Sequence, residues 1–219
     1  MSSKARAGGR SVGTHFGGDL RRALVDAAVA ALNETGADDL SLRDIARRVG
    51  VSHAAPAHYF ADKAGLLTVV ATEGFELFTR HLSHAMTTAP DKPVDQLPYL
   101  GRAYAEFAEL HPGHFEVMFR PTLIRTREPL YSAASGAAFE ALRNHVEQCQ
   151  RAGWRADADN GMLTAAAWAL AHGISVLRNQ GSLARHFPDV SLEAVMAITA
   201  TLTGDGTLEA TPRERADSK

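Results

Sequence analysis

The stretch Leu40-Ser41-Leu42-Arg43-Asp44-Ile45-Ala46-Arg47-Arg48-Val49-Gly50-Val51-Ser52 decides how the chain is read. Ser41 is a good N-cap residue, and Leu42, Ile45, Ala46 and Val49 follow it at helical spacing. Gly50 stops that helix, because a tight helix-to-helix turn needs a residue at ease with positive φ. Ala46 is small enough for a second helix to approach closely, and Ile45 and Val51 fill the angle between the two. Ser52 is expected to cap a second short helix reaching about Tyr59. Pro56 then falls inside that helix, where it removes one backbone donor. Asp62 caps a long helix from Lys63 to about Met86. Two short helices at this spacing form the helix-turn-helix pattern, whose second helix lies in the DNA major groove.

Working outward, Asp19 is expected to cap a helix with Leu20, Leu24, Ala27, Ala28, Ala31 and Leu32 on one stripe, ended by Gly36. Residues 1–17 are rich in Gly, Ser and basic residues and read as a disordered arm. Its Lys4, Arg6 and Arg10 either follow a DNA backbone or minor groove or are simply solvated. Downstream, a Pro/Asp/Lys-rich loop from Thr87 to Asp95 precedes helices near 95–110, 112–120, 128–152, 158–180 and 190–203. Gly153, Gly181-Ser182 and Pro188 punctuate them, and a polar tail follows from Gly204. No apolar alternation is long enough for a sheet, so the fold class is all-α.

The 219 residues are 45% hydrophobic, enough for a sizeable core. Twenty-three basic against 25 acidic side chains exclude a uniformly basic polyanion binder. Residues 1–65 nonetheless hold nine basic and seven acidic side chains, so the excess of acid lies in the remainder. The single cysteine, Cys149, has no partner for an internal disulfide, as fits a reducing compartment. No signal peptide is evident, and Met162 to Leu177 falls short of a membrane span. A cytoplasmic protein without membrane contact is expected.

Continued through Tyr59-Phe60 and Asp62-Lys63 at their set distance, the helix-turn-helix stretch resembles the TetR (tetracycline-repressor-like) family of bacterial regulators over about residues 18–70. The resemblance implies a DNA-binding site. Ser41 would hold phosphate at a helix start, and Arg43 would reach a base edge or phosphate. Ser52, His53, Ala54 and Ala55 would open the recognition helix and face bases. His58 and Tyr59 would contact phosphates, and Lys63 would close the site near the DNA backbone. Many relatives have tyrosine where this chain has Ala57. This recognition helix is poor in strong base readers, since Ala54 and Ala55 offer only apolar contact to thymine methyl groups. Arg47 and Arg48 suit either phosphate contact or a solvated face.

In the body, Tyr104, Phe107, Ala108, His111-Pro112, Phe115, Met118 and Phe119 resemble one TetR-type regulatory domain. So does Trp168 with His172-Gly173, in a subtype named for its Trp, His and Gly. This implies a homodimer through the last two long helices and an all-helical regulatory domain. Ala165, Ala169, His172, Gly173 and Val176 share one broad face, and Leu192, Val195, Ile198 and Leu202 recur at helical spacing. A twofold protein matches a palindromic double-stranded DNA operator. An interhelical pocket is expected, with Tyr104, Phe107, Met118, Phe119, Phe139, Trp168 and His172 as candidate lining. It would take an apolar or aromatic small-molecule effector. For each of these residues ordinary core is the competing reading, and His172 also suits a dimer hydrogen bond. Arg120 suits an anionic ligand or plain surface.

The expected organisation is an arm over 1–17, a helix-turn-helix domain over 18–65, a ligand-binding and dimerisation domain over 66–204 and a flexible tail over 205–219. The expected activity is that of a repressor released from its operator by a ligand. His81 and His84 share a helix face but lack a third ligand, so no metal site is expected. No phosphate loop, serine elbow or nucleophile–base pair is visible, so neither a catalytic residue nor a cofactor is expected. The alternatives are a helical lipid- or acyl-binding protein, which would lack sequence-specific DNA binding, and a DNA-binding module that answers to no inducer.

Overall fold

The computed structural model describes residues 17–191, and among these every regular element is helical. The expected arm with Lys4, Arg6 and Arg10, the helix expected to carry Leu192, Val195, Ile198 and Leu202, and the expected tail fall outside the described residues. The order is α1 (Gly17–Asp39), α2 (Leu42–Val49), α3 (Ala55–Phe60), α4 (Lys63–Ala85), a 3₁₀ turn (Met86–Thr88), α5 (Pro93–Leu110), α6 (Pro112–Met118), α7 (Pro129–Arg151), α8 (Asn160–Asn179) and α9 (Ser182–His186). The all-α expectation is met.

Local chemistry places the ends. Helix α1 breaks at Gly36, where φ is 78° and ψ 175°, and Asp19 sits in its first turn rather than before it. Prolines open α5, α6 and α7, where the missing N–H is unneeded and the fixed φ is already helical. This is why the loop expected over Thr87 to Asp95 is shorter than the composition suggests. Gly181, in the left-handed region, starts the short α9 where only punctuation was expected. Beyond it, Val190 and Ser191 carry no helix.

Two large buried clusters and a small third one (Ala105 with Ile174) hold the described residues together. The first joins Leu24, Val25, Ala28 and Leu32 of α1 to Ile45, Phe60 and the first half of α4 (Leu66, Leu67, Val70, Ala71), and is closed by Val117 of α6 and by Ile124. The second joins Phe75 and Phe78 of α4 to Tyr104 and Phe107 of α5, Phe115 and Met118 of α6, Ala138 of α7 and Ala171 of α8. Helices α4 and α6 therefore belong to both. Helix α6 is tied to α1 by polar contacts. Gly113 N donates to Asn33 Oδ1 at 2.8 Å, and Ala37 N donates to the Glu116 carboxylate at 3.1 and 3.2 Å. Arg120 bridges Glu116 and Asp38, each at 2.8 Å. Among the described residues no helix is long and apolar enough to cross a membrane.

Candidate nucleic-acid interface and body cavity

The helix-turn-helix is built as a rigid corner. Ser41 Oγ accepts from Asp44 N at 3.2 Å, capping α2. At the other end Gly50 has φ 77° and ψ 32°. Gly50 N bonds Arg47 O at 3.2 Å and Val51 N bonds Ala46 O at 3.0 Å, which closes the helix as a Schellman motif. Ile45 and Ala46 have no exposed surface and anchor α2 to the first core.

The second helix starts later than expected. Ser52 does not cap it: Ala55 N bonds Ser52 O at 3.0 Å in a preceding turn, and α3 begins at Ala55 with Ala54 at the cap and no side-chain cap bond. Pro56 therefore lies in the first helical turn rather than the interior. It needs no N–H there, and its ring is buried. Pro56 and Phe60 turn inward, while Ser52, His53, Ala54, Ala57 and His58 are exposed along one edge. Ala55 and Tyr59 are half-buried, and Tyr59 meets the His58 ring edge-on at 5.3 Å.

The basic groups separate by their partners. Arg47 and Arg48 both pair with Asp44, and Arg48 also bonds Glu34 at 2.8 Å, holding α2 to α1. Bonds from both arginines hold the Asp44 carboxyl below its ordinary range. Arg43 is exposed and has no ion pair among the described residues. Lys63 Nζ donates to Asp38 O at 3.1 Å, so in this state it binds the end of α1 rather than standing free. Asp62 caps α4 through Gly65 N at 2.8 Å and also accepts from Arg125 at 2.8 Å. The α3–α4 link is tight. Ala61 has φ 65° and ψ −54°, with Asp62 N bonded to Phe60 O at 2.8 Å, a strained γ-turn for a residue with a Cβ. Gly65 permits this approach, since a Cβ there would lie 2.0 Å from Phe60 O.

The body holds a cavity of about 210 Å³ among α4, α5, α7 and α8. Four expected residues line it: Tyr104, Phe119, Phe139 and Trp168. Three expected residues do not. Phe107, one turn from Tyr104, is wholly buried against Phe78 and His111. Met118 packs its thioether onto Gly74. His172 turns inward to pair with the Tyr104 hydroxyl at 2.9 Å, within the rings of Phe115, Phe119 and Trp168. Burial lowers the His172 pKa and raises that of Tyr104, so the pair is neutral.

Sequence reasoning missed Phe75, Phe78 and Trp154 in the wall. The phenylalanines are visible three apart on α4, whereas Trp154 follows a glycine turn and carries no periodic signal. Also missed were the roles of Arg120 and Arg125. Each arginine ties the body to the head through a carboxylate, Asp38 or Asp62. Among the described residues no three His, Cys, Asp or Glu side chains are grouped to hold a metal ion.

Residues 24–70 match the model of bacterial regulatory proteins of the tetR family, and residues 97–209 match that of the tetracyclin repressor-like C-terminal domain. The HTH-type transcriptional regulator BetI of Serratia proteamaculans is 53% identical over 47 residues, which are 22% of this chain and 24% of that protein. The chain thus spans about a quarter of the length of the curated relatives it matches. A solved protein of unknown function from Rhodococcus sp. RHA1 aligns with a TM-score of 0.74 at 28% identity, covering 89% of this chain and 97% of that one. PfmR of Thermus thermophilus, a TetR-family regulator, aligns with a TM-score of 0.62 at 21% identity, covering 85% and 99%, a likeness of fold. With both its head and its regulatory body matched in this way, the chain belongs to the TetR family of bacterial transcriptional regulators.

Proposed function

We propose that this regulator is a cytoplasmic homodimeric repressor that grips a palindromic operator and releases it when an apolar small molecule fills the body cavity. The head would comprise residues 18–65 and the body 66–204, with a regulatory domain of the Trp-His-Gly kind. The observation that carries the reading is the exposed edge Arg43, Ser52, His53, Ala54 and His58, with Arg43 outside every ion pair of the described residues, on a corner anchored by Ile45, Ala46, Pro56 and Phe60. Ser41, Tyr59 and Lys63 would touch phosphate at its margins, Lys63 by exchanging the Asp38 carbonyl for DNA, and Ala55 would lie at the base of the edge.

Dimerisation is supported by α8. Met162, Ala165, Ala166, Ala169 and Leu177 are exposed or half-buried along it, and an added Cβ at Gly173 would meet nothing within 4 Å. Small side chains on a face exposed among the described residues suit close helix pairing. Release would be a population shift between two head spacings. A tenfold to hundredfold difference in affinity corresponds to roughly 1–3 kcal/mol of coupling. Helix α4 and the Glu116–Arg120 ties between α6 and α1 are the connections that carry it.

The test is selection of bound duplexes from a random DNA pool, followed by titration of Arg43→Ala against the selected site. A palindrome bound by a dimer is expected, with Arg43→Ala weaker by roughly 1–3 kcal/mol. Sequence-blind, salt-sensitive binding would refute the operator reading, and unchanged affinity of the variant would remove Arg43 from the interface.

A further inference from the structure

With the cavity taken as the effector site, its outline specifies the shape of the occupant. On α4 the wall runs from Phe75 through Phe78, Thr79, Leu82 and Ser83 to Met86. These positions recur on one helix face and advance its axis by roughly 16 Å. The opposing helices frame the two ends. At one end the Phe75 ring stands 5.5 Å from that of Phe119 and 6.4 Å from that of Phe139, and Phe139 stands 5.0 Å from Trp168. At the other, His145 Nε2 of α7 lies 3.1 Å from Pro93 O at the start of α5, one turn before Leu97. Burial falls along the same line. Phe75 and Phe78 are buried, Met86 is half-buried and Ser83 is exposed, so the rings close the deep end and the Met86 end is the more open.

The volume is small for this length. An apolar cavity of about 150 Å³ holds one benzene molecule, so about 210 Å³ holds roughly eight or nine carbons. Strung out at about 1.3 Å per carbon, a saturated chain covers the same distance with roughly twelve. A space this long and this thin admits an extended chain and excludes a compact cage of equal carbon number. The wall offers the occupant neither charge nor a hydrogen-bond anchor at its deep end. Among the described lining residues there is no Asp, Glu, Lys or Arg. Thr79 donates to Phe75 O at 3.0 Å, Ser83 donates to Thr79 O at 2.9 Å, and the Tyr104 hydroxyl is paired with His172. The indole nitrogens of Trp154 and Trp168 are buried, so these side chains present ring carbon to the space. A charged group would enter without a counter-ion, at a desolvation cost that nothing in the wall offsets.

We propose that the cavity takes an uncharged molecule built on an unbranched alkyl chain of about eight to twelve carbons, laid along α4 with its inner end among Phe75, Phe119, Phe139 and Trp168. A chain of that length ends beside Phe119, which adjoins Arg120, the residue that ties α6 to α1. The inference rests on the effector reading for its regulatory meaning, but the shape of the ligand is tested separately. The chain has only two tryptophans, and both line this cavity. Intrinsic indole emission of the full-length protein therefore reports on its occupancy.

The straight-chain primary alcohols from hexanol to tetradecanol are titrated, with affinities from emission and calorimetry. Two further probes match decanol in carbon number: 1-adamantanol packs those carbons into a cage, and decanoate puts a charge on the chain. Affinity is expected to rise about fourfold per CH₂ and to level off between octanol and dodecanol. Decanol is expected to bind at least about tenfold tighter than 1-adamantanol and tighter than decanoate. Ala138→Leu, at the deep end, is expected to lower the ceiling by about three carbons, the number leucine adds over alanine, and to leave the increment among shorter alcohols unchanged. The wild-type series tests the proposal by itself should that variant not fold. Affinity that does not climb with chain length, 1-adamantanol or decanoate binding as tightly as decanol, or an unmoved ceiling in folded Ala138→Leu would overturn it. Operator binding measured in parallel separates the two claims. Tight alcohol binding with no effect on DNA refutes the effector role but leaves the ligand class standing. Operator release by 1-adamantanol or decanoate alone refutes the ligand class but leaves the effector role standing.

Discussion

The two large cores of the described residues share helices α4 and α6 yet are made differently. The head core is aliphatic, with Leu24, Val25, Ile45, Leu66, Leu67 and Val70 almost wholly buried around the ring of Phe60. The body core is aromatic, with Phe75, Phe78, Tyr104, Phe107 and Phe115 gathered in it and several of these rings meeting edge-on at separations of 5.0–5.9 Å. Branched aliphatic side chains interdigitate to high density, whereas edge-to-face rings hold one another at fixed separations. Space remains within the second core, where the cavity lies. A reading head gains from stiffness, because its exposed edge must keep one shape. A receiving body needs room, and rings propped against each other provide it.

Truncation breaks this comparison most severely. Leu67→Ala, in the fully buried head core, is expected to cost about 2–5 kcal/mol in urea unfolding. Leu97→Ala, at the cavity wall, should cost less than half as much, because its neighbours already border empty space. Equal losses would mean that the cavity is closed in solution. Enlargement should invert the order. Ala28→Leu overfills the head and costs roughly 1–3 kcal/mol, whereas Ala171→Leu fills the cavity, is near neutral and blocks ligand binding. Calorimetric melting of both variants, with and without a bound probe, decides this.

Acid should sharpen the contrast from the body side. Burial holds His114, His145 and His172 below the ordinary imidazole value of 6.5. The unfolded chain therefore binds more protons than the native one as pH falls below that value, so stability is complete above it and declines beneath it. The melting midpoint should fall by several degrees between pH 7.5 and pH 5.5, and a flat profile would show that these imidazoles protonate freely in the fold. The smallest effect belongs to the strained link of the head. Ala61→Gly should relieve the positive φ and raise stability by about 1 kcal/mol or less, since glycine also loosens the unfolded chain. A loss in thermal melting would contradict the strain.

The corner was legible because its signals are local. Cap, stop and small contact residue fall within Ser41 to Gly50, and each acts on its immediate neighbours. The start of α3 was misread for a related reason: Ser52 resembles a cap, but Pro56 fits only the first turn and forces the helix to begin later. The cavity was half legible. Tyr104 and Phe107 look alike in the sequence, and only packing against α4 decides that one faces space and the other a ring. The ties between α6 and α1 were invisible, because Glu116 and Ala37 meet across 79 positions of chain. No periodicity marks such a pair.

The closure of the head by α6 also bears on transplantation. Chimeric repressors are made by grafting one reading head onto another receiver, with the cut placed after the recognition helix. In this chain such a cut would leave behind Leu66 to Ala71, Val117 and Ile124, which complete the head's own core. It would also strip Asn33 and the Ala37 amide of their partners. A graft that carries the helix-turn-helix together with the first half of α4 and a matched α6 would keep its shape. One that carries the helix-turn-helix alone would take on the contours of its new host, and with them a different spacing on DNA.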